Sequence, residues 1–169
     1  RHLQEGTKET QEAAEEGSGM SITLRPAIEN DLPLIMAWRS SPLVYQGFFT
    51  QTAPLTWEEH IRWQKSRNRD WRTFIIVYND RDVGVVNIGQ LDHWSPEIGY
   101  LIGEVSLWGK GIATQAVKQA MEWIKDYGKG YCHTTVLVKN KASLRVLEKL
   151  GFTIQGDARE GEVWLTKKL

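Results

Sequence analysis

Apolar and polar residues alternate along several short segments of the chain, and this alternation predicts β-strands. Successive side chains of a strand point to opposite faces of a sheet, so an alternating segment buries one face. The predicted strands cover residues 22–27, 71–78, 83–91, 97–102 and 133–139, and a hairpin over 152–169 turns near Gly161. The polar run Asn79-Asp80-Arg81-Asp82 is typical of the turn between the second and third strands.

Apolar residues recur at helical spacing in four other segments. The predicted helices follow Asn30 and Asp31, cover 56–66, extend from a glycine-rich turn at 108–111 to about 127, and cover 142–150. In the first helix, Leu34, Ile35 and Trp38 form the apolar face. The second begins with a capping box made by Thr56 and Glu59. Between these two helices, residues 40–55 form a loop rich in aromatic side chains.

Composition narrows the class of protein. Lysine plus arginine and aspartate plus glutamate each number 21 in 169 residues, so the net charge is zero and no nucleic-acid partner is expected. No segment approaches the ~18 consecutive apolar residues of a membrane span, so no membrane partner is expected. The single cysteine, Cys132, excludes an internal disulfide and fits a cytoplasmic protein. No set of His, Asp and Glu residues has the spacing of a metal site, so no metal is expected.

The first 19 residues differ from the rest of the chain. They are polar and rich in glutamate, which indicates a leader or an artificial tail, and Met20 is expected to be the native start. We therefore expect one domain over 20–169.

The turn that follows the strand at 97–102 carries the clearest chemical signal. Gly109 and Gly111 allow a left-handed backbone and the close approach of an anion, and the helix that follows begins at the turn. Unpaired N–H groups at a helix N-terminus form a phosphate cradle. A P-loop does not fit any segment, and the dinucleotide fingerprint fails at Thr114, which stands in place of its third glycine.

The same turn resembles the acyl-CoA pyrophosphate loop of the GNAT acetyltransferases. Trp108-Gly-Lys-Gly111-Ile-Ala113 is similar to their Gln/Arg-x-x-Gly-x-Gly/Ala pattern, but Trp108 stands at the first position. This form resembles the branch that contains ribosomal-protein N-terminal acetyltransferases and small-molecule acetyltransferases such as those of aminoglycosides. The segment 136–152, with Asn140, Ser143, Leu147 and a final Gly-Phe, resembles a second GNAT motif. The resemblance implies an α/β (α+β) GNAT fold, a mixed, mostly antiparallel sheet of about six or seven strands flanked by about four helices.

The resemblance also implies acetyl-CoA as cosubstrate and direct attack by the amine in a ternary complex. The residues that it assigns to the cofactor are Leu101, Ile102, Trp108, Gly109, Lys110, Gly111, Ile112, Ala113, Thr114, Asn140 and Ser143. Cys132 is then not needed as a nucleophile and is expected to be a buried thiol.

Two residues are candidates for the proton transfers. Glu97, beside Ile98 and Trp94, is the candidate general base, although it is equally suited to ordering its strand or binding the acceptor. The family's common general acid is a tyrosine on the last helix, and Leu147 stands at that position. Ser143 is therefore the candidate proton donor, or a hydrogen-bonding residue at the helix start.

The acceptor side is predicted from aromatic and histidine residues near these motifs. The candidates are Phe48, Phe49, Trp57, His60 and His93. A pocket for a ring-bearing molecule favours an N-acetyltransferase acting on a primary amine of an aminoglycoside, an amino sugar or a nucleotide-linked amino sugar. The alternatives are a protein N-terminal acetyltransferase of the ribosomal-protein type and a non-catalytic acyl-CoA sensor. The protein is expected to be a monomer or a homodimer.

Overall fold

A computed structural model describes residues 20–48, 51–67 and 69–169, and within them the strands form one mixed sheet. The strands are β1 (Ile22–Pro26), β2 (Arg72–Tyr78), β3 (Arg81–Gly89), β4 (Glu97–Ile102), β5 (Tyr131–Leu137), β6 (Thr153–Arg159) and β7 (Glu162–Lys168). Their order across the sheet is β1-β2-β3-β4-β5-β7-β6. Every neighbouring pair is antiparallel except β4 and β5, which are parallel.

Helices cover both faces of this sheet. They are α1 (Leu32–Arg39), α2 (Pro42–Tyr45), α3 (Trp57–Ser66), α4 (Ile112–Asp126) and α5 (Lys141–Lys149), with short 3₁₀ turns at Glu29–Asp31 and Val105–Leu107. The apolar side of α4 is fully buried in the larger core, whereas Ile35 and Trp38 of α1 pack with Ile75 and Val85 on the opposite face. No helix of the described residues is long and apolar enough to cross a membrane.

The predicted fold is confirmed, and the differences from the sequence-based boundaries are local. Leu34, expected on the apolar face of α1, is 37% exposed. The short helix α2 lies inside the segment predicted to be a loop, and β5 begins at Tyr131, two residues before its predicted start. The turn between β2 and β3 is tighter than predicted, because Asn79 and Asp80 both adopt the left-handed conformation and β3 starts at Arg81. Residues 1–19 lie outside the described residues.

Strands β4 and β5 separate soon after they meet. β4 pairs with β3 along its whole length, but it pairs with β5 at one position, Glu97 opposite His133. The Thr134 hydroxyl then donates to the Ile98 carbonyl at 2.7 Å, and beyond this point the two strands share no paired residues in the described chain. The divergence leaves one edge of β4 without a neighbouring strand near its carboxyl end, between the two helical layers.

Candidate active site

The glycine-rich turn forms a cradle of free backbone donors. Gly109 and Gly111 have φ values of 76° and 80°, a region that residues with a Cβ rarely adopt, and α4 begins directly after Gly111. Within the described chain, no backbone N–H from Gly109 to Thr114 donates a hydrogen bond to a protein acceptor. The helix dipole adds positive potential at the same place. These groups fit a pyrophosphate, which supplies several acceptor oxygens and negative charge.

The other residues assigned to the cofactor surround this cradle in different ways. Trp108 donates from Nε1 to the Ile102 carbonyl at 2.9 Å and so ties the cradle to the end of β4. Lys110 is exposed and adds positive charge at the turn, whereas Ile112 is buried in the core and contributes its backbone only. Ala113 and Thr114 are half-buried in the first turn of α4.

Asn140 and Ser143 meet at the start of α5. The Asn140 Oδ1 accepts a hydrogen bond from the Ser143 backbone N–H at 3.2 Å, so Asn140 caps the helix. This contact leaves the Ser143 hydroxyl available to other partners. The cap therefore fixes where Ser143 lies relative to the gap between β4 and β5.

The sequence analysis missed Tyr100, whose side chain approaches Ser143 from β4. Burial raises the pKa of Tyr100, and the nearby Ser143 side chain partly offsets the increase. Tyr100 faces the larger core together with Ile98 and Ile102. The Tyr100 hydroxyl is buried and makes no hydrogen bond to another described residue. The signal in the sequence was a phenol in an otherwise apolar alternating register, where a buried hydroxyl needs a partner.

Leu147 and Cys132 are structural residues in this arrangement. Leu147 is completely buried in the larger core, as expected of an apolar residue on the inner side of α5. Cys132 is also completely buried, and burial raises the pKa of its thiol to about 12. A thiol with this pKa is protonated at neutral pH and is a poor nucleophile.

Glu97 begins β4 on the side opposite to the larger core. Its neighbour Ile98 points to the other face, and Trp94 is 62% exposed, so neither encloses the carboxylate. Gln90 donates from Nε2 to the Glu97 Oε2 at 3.0 Å. His93 instead contacts Ser95 and packs against the rings of Trp94 and His133. The described contacts therefore connect Glu97 to Gln90 and not to His93.

A cavity of about 460 Å³ lies against the same face of β4. Its walls come from the sheet, from α1 and α3, and from the loop that precedes α3, and include Phe48, Leu55, Trp63, Asn87 and Leu101. Because Gly99 has no side chain and lines the cavity, the backbone of β4 is accessible from within it.

The residues predicted to bind the acceptor differ in where they lie relative to this cavity. Phe48 lines it, and Phe49 lies outside the described residues. Trp57 is 47% exposed, and His60 is completely buried between the rings of Trp57 and Trp63, so neither belongs to the lining. The sequence analysis missed Trp63, Arg39 and Arg67, which form one wall. They come from separate elements, and no local pattern distinguishes them from exposed residues.

The family model that describes an acetyltransferase (GNAT) domain matches residues 21–153. This chain belongs to the GNAT acetyltransferase family. The match spans every strand up to the start of β6 and both motifs described above, so the GNAT cradle and the cavity lie in one family domain. No three His, Cys, Asp or Glu side chains of the described GNAT domain gather as metal ligands would.

Relatives and solved structures extend this result. The chain is 44% identical over 152 residues to the uncharacterized Methanocaldococcus jannaschii protein MJ1062, with 88% of this chain covered but only 31% of that protein. A domain from M. jannaschii DSM 2661 has 41% identity and a TM-score of 0.85, covering 89% of this chain and all of that domain. Spermidine N-acetyltransferase from Vibrio cholerae, in complex with CoA and spermine, has a TM-score of 0.77 at 18% identity, with 87% and 95% covered. This last likeness shows the fold alone.

Proposed function

We propose that this GNAT domain is an acetyl-CoA-dependent N-acetyltransferase that acts on a primary amine of a small molecule. One structural relationship supports the proposal above all others. The free N–H groups of the cradle adjoin the carboxyl end of β4, while the cavity opens against Gly99 and Leu101 of the same strand. An acetyl donor held by the cradle and an acceptor amine held in the cavity would therefore meet along β4. This placement reduces the entropic cost of bringing the two reactants together.

The cofactor side of the proposal uses the cradle and the gap between β4 and β5. The N–H groups from Gly109 to Thr114 would hold the pyrophosphate, with Lys110 adding charge. Asn140 and the free edge of β4 would hold the pantetheine arm. Acetyl-CoA supplies an acetyl group on a thioester whose thiolate is a good leaving group, because an ordinary thiol has a pKa of ~8.5.

The two proton transfers of the reaction are assigned to Glu97 and to solvent or Ser143. Glu97 accepts the proton that the amine nitrogen loses as it bonds to the acetyl carbon, directly or through a water molecule. The departing sulfur takes a proton from solvent or from the Ser143 hydroxyl, which lies beside Tyr100. The chain's own thiol, Cys132, has no part in the transfer.

The size of the cavity supports a small acceptor. A volume of about 460 Å³ is in the range of small-molecule sites, and its aromatic wall suits a ring. Aminoglycosides, amino sugars and nucleotide-linked amino sugars all present a primary amine on a ring. A peptide N-terminus, as in the ribosomal-protein acetyltransferases, is the alternative acceptor.

The proposal is tested by incubating the purified chain with acetyl-CoA and a panel of amines, and by recording thiol release and product mass. Acetylation of a small ring-bearing amine is the expected result. Faster acetylation of peptide N-termini would overturn the small-molecule assignment, and acetyl-CoA binding without any turnover would identify a sensor. The Gly111→Glu variant, in which a carboxylate occupies the cradle, is the control for transfer that does not depend on the cradle.

A further inference from the structure

Two arginines share one tryptophan in the wall of the cavity. Arg39 ends α1 and Arg67 follows α3, and their guanidinium carbons lie 3.8 Å and 3.5 Å from a ring centroid of Trp63. Arg67 also lies 4.6 Å from the ring centroid of Trp71. All three of Arg39, Trp63 and Arg67 line the cavity. The aromatic contacts therefore hold two like charges at one side of the same space.

Neither guanidinium has a carboxylate partner within the described part of the chain. Arg67 donates to the Asn87 Oδ1 at 2.6 Å and to the Thr73 hydroxyl at 3.4 Å, both neutral acceptors. The Arg39 Nη1 lies 3.2 Å from the His60 Nδ1. Arg25, by contrast, is paired with both Asp31 and Asp82. The two arginines thus lack an ion-pair partner, whereas Arg25 has two. Glu59 also lines the cavity, but its carboxylate accepts a hydrogen bond from the Thr56 backbone N–H.

The surroundings of the two arginines make this arrangement costly without an anion. Burial lowers the pKa of Arg39 to about 10 and that of Arg67 to about 9, and repulsion by Arg39 lowers the pKa of Arg67 further. Both groups still carry their charge at neutral pH. Glu97 acts on Arg67 in the opposite direction but forms no ion pair with it in the described residues, and Gln90 holds its carboxylate. A bound anion would offset both the desolvation and the repulsion.

We propose that the cavity accepts an amine that carries an anionic group, a phosphate or a carboxylate, with Arg39 and Arg67 as its counterions. The inference rests on the proposed function and deepens it by naming the charge of the acceptor. Guanidinium groups present paired N–H donors that match the oxygens of both anions. The acceptor's amine would then extend past the lining residues to Glu97, which lies on the same face of the sheet and close enough to Arg67 to act against the lowering of its pKa.

This arrangement also selects against acceptors with several positive charges. A polyamine would place further ammonium groups near two guanidinium groups that have no ion-pair partner in the described chain, where the low local dielectric strengthens the repulsion. Among ring-bearing amines, the arrangement favours a phosphorylated or nucleotide-linked amino sugar over an aminoglycoside. The acceptor charge is thus decided by the two arginines and not by the aromatic wall.

The experiment compares matched acceptors that differ in the anionic group. The phosphate is tested by comparing glucosamine with glucosamine 6-phosphate and UDP-glucosamine. The carboxylate is tested by comparing alaninamide with alanine. Spermidine tests a polycationic acceptor. We expect kcat/KM to be at least tenfold higher for the anionic member of at least one pair, and we expect the preference to shrink as salt is added. A preference for spermidine, or equal rates for both members of every pair, would overturn the proposal. Whichever pair shows the preference identifies the anion.

Variants then test whether the arginines are responsible. Arg67→Gln and Arg39→Gln should each lower kcat/KM for the preferred anionic acceptor by 10- to 100-fold, mainly through KM, and by at least tenfold more than they lower it for the neutral member of the pair. Arg67→Lys keeps the charge but loses the paired donors, so it should fall between wild type and Arg67→Gln. Arg62→Gln, on the exposed side of the same helix α3, is the matched control and should behave as wild type. Equal losses for both members of the pair would assign the arginines a structural role and overturn the proposal.

A binding measurement separates this inference from the proposed function. The protein is first saturated with CoA, which fills the cradle. Calorimetric titration of glucosamine 6-phosphate or alanine then measures binding to the remaining anion site alone. Binding that Arg67→Gln weakens tenfold or more supports the anion site even if no amine is acetylated. Acetylation of neutral amines without such binding would leave the proposed function standing and overturn the anion site.

Discussion

The side chain of Gln90 donates a hydrogen bond of 3.0 Å to the carboxylate of Glu97, and the backbone of Gln90 is left-handed, with φ of 55°. Gln90 directly follows Gly89, which is paired with Glu97 across β3 and β4. A residue other than glycine in this conformation costs free energy, and such strain is concentrated at functional sites. Here the conformation directs an amide at the carboxylate that we propose as the base, so Gln90 acts as a positioning residue.

The first prediction concerns Glu97 itself. Glu97→Gln keeps the shape of the side chain but removes the proton acceptor, so kcat/KM should fall by about 10²–10⁴ at neutral pH while CoA affinity is unchanged. The defect should diminish as the pH rises, because more of the acceptor amine is then unprotonated in solution. Steady-state kinetics over a pH series measure this, with Glu122→Gln on the exposed side of α4 as control. A loss of less than threefold would assign the proton transfer to solvent.

The second prediction concerns the cradle. CoA at 100 times its dissociation constant should add about 2.7 kcal/mol to the free energy of unfolding of the wild type. Gly111→Glu should abolish this stabilisation, because it places a carboxylate where the pyrophosphate binds. Gly161→Glu is the matched control, since Gly161 has a similar φ of 75° and belongs to the turn between β6 and β7. A Cβ added at Gly161 meets nothing within 4 Å, and one added at Gly111 meets the Met20 side chain at 3.9 Å, so neither site is crowded. An equal thermal shift in Gly111→Glu and wild type would contradict the cradle assignment.

The third prediction concerns the missing tyrosine of α5. Because the leaving thiol is already acidic, Ser143→Ala should lower kcat only about tenfold, or ~1.4 kcal/mol. Leu147→Tyr should be slower than wild type and less stable by about 1–3 kcal/mol, since Leu147 is completely buried and the larger ring overpacks the core. Rate and melting temperature are measured together. A faster Leu147→Tyr variant would show that protonation of the thiolate limits turnover.

The fourth prediction concerns Cys132, whose buried thiol has a pKa raised to about 12. In the native protein it should not react with a thiol reagent at pH 8, and it should react fully in denaturant. Since an exposed thiol ionises near pH 9 and the buried one does not, its contribution to stability is present below pH 9 and is lost between pH 9 and 12. The free energy of unfolding should fall there by about 1.4 kcal/mol per pH unit, and Cys132→Ala should remove this part of the slope. Rapid labelling of the native protein would contradict the burial.

Sequence reasoning predicted the elements whose signals are local. Alternation, apolar runs and turn residues located all seven strands of the described sheet, and the capping box of Thr56 and Glu59 forms as predicted, with hydrogen bonds in both directions. The cradle was also predictable, because two glycines at fixed spacing before an amphipathic helix dictate the backbone without help from the rest of the chain. The backbone of the cradle therefore follows from the sequence. The full set of cofactor residues was implied by the resemblance to the GNAT family, and their role stays a prediction.

Tertiary structure alone decided the wall of the cavity and the partners of the site residues. Arg39, Trp63 and Arg67 meet because α1 and α3 pack on one face of the sheet, and in the sequence each is an ordinary residue at or near a helix end. Gln90 meets Glu97, and Tyr100 approaches Ser143, through strand pairing and helix docking. His60 appeared to belong to the cavity wall but is buried behind it, because the rotation of a helix depends on its packing. Local sequence fixes backbone conformation within a few residues, whereas the charge and shape of a cavity arise from side chains that only packing brings together.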